Sequence, residues 1–170
     1  NITRVWEESL LGTAGTLLQN RDFFQHGPFL LIHADNLSLF NMNDFVRTFE
    51  NRDEGIDITM MTFETDSPQS CGIVELDNND VVVGFHEKVN NPPGNLANAA
   101  VYILDQSVLD FIERQGKETL DFTTEVLVHY IGRINTFRNS QYHRDIGTIE
   151  SLNRAKIEYP KARQILIDDC

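Results

Sequence analysis

Cationic residues are scarce in this chain. Fourteen Lys and Arg stand against 26 Asp and Glu in 170 residues, a formal net charge of −12 at pH 7. A surface of that sign repels phosphate backbones and anionic bilayers, which excludes general nucleic-acid or membrane-surface binding. A phosphorylated small molecule remains admissible, provided a metal or local cations meet it. Cysteine is scarcer still. Cys71 and Cys170 make neither a disulfide framework nor a zinc spacing, so a reducing, cytoplasmic setting is expected. Long apolar runs are absent. Runs such as residues 28–32 and 99–104 are strand-sized, far short of the roughly 20 residues a membrane helix requires. The five histidines (His26, His33, His86, His129 and His143) show no HExxH-type metal spacing. Residues 1–8, which open on Asn1, read as neither a signal nor a transit peptide. What is plentiful is core material: 41% of residues are hydrophobic, which excludes disorder and suffices for one domain.

The pattern along the chain alternates between helix and strand. Residues 29–33 (FLLIH) form an apolar run closed by Ala34, Asp35 and Asn36, the signature of a buried, parallel strand. Asn41 is placed to cap a helix carrying Met42, Phe45, Val46 and Phe49 on one face. Residues 57–63 read as a strand, and residues 72–76 and 81–86 as a hairpin around Asp77–Asp80. Residues 90–94 (NNPPG) must be a loop, and 99–104 a strand. Asp105 caps the next helix, which ends near Gly116. Phe122, Val126, Leu127, Tyr130 and Ile131 line another helix, stopped by Gly132; residues 133–138 follow as a strand. Thr148 caps a last helix expected to stop near Pro160. Trp6, Phe23, Phe24 and His33 read as core, and Cys71 as a buried structural thiol. The expectation is one mixed α/β domain over residues 1–170.

Four places could carry chemistry. Asp35 lies just beyond a strand, where ligands of open α/β sheets collect, and a carboxylate there suits Mg²⁺. It reads equally as a turn aspartate bonded to its own backbone. Asp145 precedes Gly147 and a helix start. It is either a second carboxylate for the same cation or a turn residue favoured by the helix dipole. Glu87 and Lys88 end a strand, offering a carboxylate to hydroxyls and an ammonium to phosphate, or a solvated strand end. Gly12, Thr13, Ala14 and Gly15 are small enough for a flat ligand, or a neighbouring backbone, to approach closely.

In this order the segments resemble the sugar-1-phosphate nucleotidylyltransferases. Residues 7–15 (EESLLGTAG) resemble that family's nucleobase loop, and 29–36 (FLLIHADN) its strand ending in a metal aspartate. Residues 72–76, 85–88 and 95–102 resemble its sugar-binding region, and 143–148 (HRDIGT) its second metal segment. The resemblance implies a Rossmann-like, mainly parallel sheet flanked by helices, the nucleotide-diphospho-sugar transferase fold. It implies transfer of a nucleotidyl group from a nucleoside triphosphate to a sugar 1-phosphate, with pyrophosphate leaving in line. Asp35 and Asp145 would hold Mg²⁺, and Lys88 would contact the sugar phosphate. Gly72, Glu87, Asn98 and Ala100 would surround the sugar, while Glu7, Gly12, Thr13, Ala14 and Gly15 would face the nucleotide. A carboxylate at Glu7 suits the N–H donors of guanine, so GTP and a mannose- or heptose-type sugar are favoured. A thymidylyl- or uridylyltransferase acting on glucose 1-phosphate is the alternative within the family, and a non-catalytic sugar-phosphate- or nucleotide-binding or regulatory module the alternative outside it; in either case the chain could form a homo-oligomer. The family's glycine-rich triphosphate loop has no match in these residues. The chain is therefore expected to be an N-terminally truncated domain, inactive by itself, with exposed strand edges. Val89 stands where the family has proline and Ala100 where it has glycine; the added methyl of Ala100 bears on substrate choice.

Overall fold

Strand β6 (Leu96–Leu104) is the axis of the molecule because both of its faces are apolar. Its small and β-branched residues leave room for packing on either side. Tyr102 and Leu104 belong to one core cluster and Ala99, Val101 and Ile103 to another. The structure, a computed structural model, describes residues 2–24 and 27–168. Asn1, His26 and Cys170 lie outside the described residues. Around β6 stand β1 (Phe29–Ile32), β3 (Ile58–Glu64), β4 (Gly72–Leu76), β5 (Val82–Glu87) and β7 (Ile134–Arg138) in a six-stranded sheet. A separate two-stranded ladder joins β2 (Asn36–Leu39) to β8 (Tyr142–Asp145).

Helices cover both faces of the large sheet. Helix α1 (Gly12–Gln19) and α3 (Gln106–Arg114) bury Ala14, Leu17, Val108, Leu109 and Ile112 on one side. Helix α2 (Met42–Glu50) buries Phe45 and Phe49 on the other. Each of those phenylalanines contributes about 2–3 kcal/mol by leaving water. Asn41 caps α2 by accepting from the amides of Asn43 and Asp44, and Asp105 caps α3 by accepting from Ser107. Helix α4 (Ile149–Asp168) closes the fold against β8, where Glu158 accepts a bidentate pair from Arg144 at 2.7 and 3.2 Å.

Several sequence expectations need correction. Residues 29–32 form a strand, but β1 pairs antiparallel with β6 and Leu30 and Ile32 remain 40% and 43% exposed. The mixed sheet itself is as expected: β1, β3, β4 and β7 run one way, and β6 within the sheet and β5 at its edge run the other. Direct parallel pairing among the described strands is confined to β3 and β7, because β6 is inserted between the co-directional β1 and β3. The outer edge of β1 carries no strand among the described residues. Trp6 is 89% exposed rather than core, since residues 2–10 form no strand or helix that would press it inward, and Phe23 is exposed as well. Cys71 is only half-buried. Residues Phe122–Val126 and Leu127–Tyr130 are two short helical turns rather than one regular helix. Pro160 does not end α4; Pro160 and Lys156 are both exposed, so water can take the carbonyl bond the ring displaces.

Candidate active site

The two carboxylates singled out in the sequence meet in space. The β2–β8 ladder sets Asn36 opposite Asp145, and the Ile146 amide donates to the Asp35 carbonyl at 2.8 Å. Both aspartates are exposed. Gly147 shows how close they come: a Cβ built on it would lie 3.0 Å from Asp145 Oδ1 and 3.3 Å from Asp35 Oδ2. The two carboxylates thus flank one small open space that only a missing side chain preserves. Asp145 is fixed further by the Gly147 amide, which donates to its Oδ1 at 2.7 Å. Two hard oxygen donors in an open position are the set that suits Mg²⁺, which binds through one or two carboxylates, several waters and substrate phosphates. Among the described residues no cluster of three or more Asp, Glu, His or Cys side chains offers a closed all-protein cage.

Behind the carboxylates lies His143, the first residue of the segment that resembles the family's second metal segment. Its ring packs 4.2 Å from the ring of Phe63, and its Nδ1 lies 2.8 Å from Ser38 Oγ. Burial pushes its imidazole down to about 4, against the opposing pull of Asp145. It is therefore neutral at pH 7. The folded pKa lies below the ordinary 6.5, so the full stabilisation is present above pH 6.5 and is lost progressively as the pH falls toward 4. Acid unfolding should lose roughly 3 kcal/mol over that window. Denaturant titrations at pH 7 and pH 4.5 measure the loss, and His143→Gln should flatten the slope.

A second group gathers where β4, β5 and β6 meet. Gly72 pairs with Glu87 across the β4–β5 ladder, and a side chain at Gly72 would collide with Glu87 Oε2 and the Phe85 ring. Lys88 is exposed, with its Nζ 3.6 Å from Glu87 Oε1. Asn98 Nδ2 donates to the Tyr102 hydroxyl at 2.7 Å, and Asn98 Oδ1 accepts from the Ala100 amide at 2.9 Å. Tyr102, not anticipated as a site residue, is fully buried beneath this group. Burial and, more weakly, the negative charge of Glu87 raise its hydroxyl pKa, so it stays a neutral hydrogen-bonding floor. Lys88 and Ala100 adopt φ of 49° and 51°, a left-handed backbone that non-glycine residues rarely take and that concentrates at functional positions. At Ala100 the bend interrupts the β3–β6 register between Met60 and Thr62. Ala100→Gly should therefore raise stability by about 0.5–1 kcal/mol, because relief of the left-handed strain exceeds the added chain entropy. Urea denaturation of the two forms checks this.

The nucleobase-loop residues are placed by packing. Ala14 and Gly15 donate their amides to the Leu120 carbonyl at 3.1 and 3.2 Å, and Leu120 donates to the Leu11 carbonyl at 2.8 Å. Gly12 has φ 72°, and a Cβ on it would lie 2.5 Å from the Leu120 oxygen. Gly12 and Gly15 thus serve a tight backbone contact with residues 118–121, and Thr13 beside them is half-buried. The same segment reaches toward β1. Burial raises the Asp121 carboxyl, but hydrogen bonds from Thr124 and Thr123 and the charge of His33 outweigh it and hold it low. Glu7 Oε1 is shielded from solvent with no hydrogen-bond partner among the described residues.

Helices thus flank a mixed sheet, with paired carboxylates beyond the end of β1 and an acid–lysine pair at the end of β5. The chain belongs to the nucleotidyl transferase family, whose model matches residues 1–162. It is 30% identical over 164 residues to a mannose-1-phosphate guanylyltransferase of Mycobacterium tuberculosis (strain ATCC 25618 / H37Rv), an alignment covering 92% of this chain and 44% of that protein. Among solved structures it is similar to a Bacillus anthracis protein assigned as a glucose-1-phosphate thymidylyltransferase and solved with sucrose. That likeness has a TM-score of 0.77 at 24% identity, over 89% of this chain and 62% of the other. It is also similar to HddC from Yersinia pseudotuberculosis complexed with GMP-PN, with a TM-score of 0.74 at 22% identity, over 91% of this chain and 65% of HddC. The chain thus spans less than half the length of the guanylyltransferase and under two thirds of each structure. No helix among the described residues is long and apolar enough to cross a membrane.

Proposed function

We propose that this chain carries the cation and acceptor side of an enzyme that transfers a nucleotidyl group from a nucleoside triphosphate, GTP favoured, to a mannose- or heptose-type sugar 1-phosphate. The observation that carries the reading is the convergence of Asp35 and Asp145 on the space left by Gly147. In this reading Asp35 and Asp145 hold Mg²⁺, which when bound neutralises charge on the reacting phosphates. The exposed ammonium of Lys88 meets the sugar phosphate. Glu87 and Asn98 accept and donate to sugar hydroxyls above the Tyr102 floor, and Gly72 leaves them room. No covalent nucleophile is required, because in-line displacement at phosphorus depends on positioning and charge neutralisation. The local cations also answer the −12 charge of the chain, which by itself repels such substrates.

Three observations favour guanine. One relative is named a mannose-1-phosphate guanylyltransferase, HddC was solved with GMP-PN, and Glu7 keeps a shielded carboxylate oxygen without a donor. The Bacillus anthracis neighbour favours a second reading, thymidylyl transfer to glucose 1-phosphate. The test is pyrophosphate release by the full-length protein with Mg²⁺, across GTP, dTTP, UTP and ATP and a panel of sugar 1-phosphates. GTP with mannose 1-phosphate is expected to turn over fastest. Preference for dTTP with glucose 1-phosphate selects the second reading. No turnover with any pair overturns both and leaves a binding module.

A further inference from the structure

We infer that Asn36 is a positioning residue that holds the carboxylate pair and the bent segment of β6 at one fixed spacing; this rests on the reading of Asp35 and Asp145 as cation ligands. Asn36 follows Asp35 directly, and in the β2–β8 ladder it faces Asp145. Its side chain leaves that ladder altogether. The carboxamide Nδ2 donates to the Ala99 carbonyl at 2.7 Å, with the Ala100 carbonyl at 3.5 Å, spanning 63 and 64 residues of chain. One residue therefore touches both halves of the candidate site.

The bend it grips would not hold itself. Ala100 sits at φ 51°, a conformation that persists only where its surroundings over-determine it. Hydrogen bonds among the described residues do so here. Asn98 Oδ1 accepts from the Ala100 amide, the His33 amide donates to the Ala100 carbonyl at 3.3 Å, and Asn36 donates to Ala99. Among the described residues, the Asn36 carboxamide alone hydrogen-bonds the bend to β2. The residue type also fits. A carboxamide supplies the N–H that a carbonyl needs, whereas an ionised carboxylate supplies none. Groups bonded directly to a metal ligand typically change metal affinity by about 10–100-fold when removed; Asn36 acts one step further out, through the backbone next to Asp35, so the low end of that range applies.

Mn²⁺ is the probe, read by electron paramagnetic resonance and calorimetry on the full-length protein and checked against thermal melting. Asn36→Ala is expected to weaken Mn²⁺ about tenfold and to speed amide exchange at Ala100, with only a small loss of melting temperature. Asn36→Gln, which keeps the donor on a longer arm, should recover part of the affinity. If Asn36→Ala does not fold, Asn36→Ser carries the same comparison. Wild-type Mn²⁺ affinity in a folded Asn36→Ala or Asn36→Ser protein overturns the inference while leaving the cation reading intact. Absence of Mn²⁺ binding in the unsubstituted protein removes the cation reading and the inference with it.

Discussion

Asp35→Asn and Asp145→Asn should each lower kcat for pyrophosphate release by about 10²–10³-fold in the full-length protein, the scale at which a single well-placed electrostatic group contributes to a transition state. Both side chains are exposed, so neither substitution removes core packing, and melting temperatures should move little. The informative outcome is the double substitution. Two carboxylates that flank one space act as a unit. Removing the second after the first should therefore cost far less than removing it alone. Additive losses would mean that the two act on separate events. Losses confined to KM would mean that they bind substrate equally in ground and transition states.

Gly12→Ala should destabilise the fold by about 2–5 kcal/mol. Two costs combine. An L-residue at φ 72° gives up about 1–2 kcal/mol. A methyl placed 2.5 Å from the Leu120 carbonyl oxygen forces the backbone apart, on the scale of core overpacking, about 1–3 kcal/mol. Leu120 cannot yield easily, because its oxygen accepts from Ala14 and Gly15 and its amide donates to Leu11. Gly94→Ala is the control: nothing lies within 4 Å of the added carbon, and a change within about 0.5 kcal/mol is expected. Guanidinium denaturation of the two variants separates a packing role for Gly12 from a purely nucleotide-facing one, since the latter predicts no loss in the absence of nucleotide.

Features that the sequence announced locally are the ones it announced well. Asn41 and Asp105 cap their helices because a short polar side chain before an amphipathic stretch has one strong use. The Asp77–Asp80 turn and the loop of residues 90–94 follow from turn chemistry in the same way. What stayed hidden depends on partners far along the chain. Residues 36–39 (NLSL) are too short and too polar to read as a strand, and β2 exists because β8 lies beside it. His143 becomes a half-buried, neutral imidazole in a setting that Phe63 and Ser38, far away in sequence, help to build. Tyr102 lay within an anticipated strand, but its place beneath Asn98 and Glu87 needed the bend at Ala100. The exposed Leu30 and Ile32 show the converse: an apolar run reports the capacity for burial, and the neighbours that are present decide how much of it is realised.

The β2–β8 ladder has a consequence for how the protein is made. Ser38 and His143 meet across 105 residues of sequence, so the carboxylate pair beside them cannot exist until nearly the whole described chain has left the ribosome. At typical elongation rates that interval is on the order of 5–20 s. Through it Asp35 is an isolated acid on an unfinished turn, without the Asp145 carboxylate that flanks the same space in the folded protein.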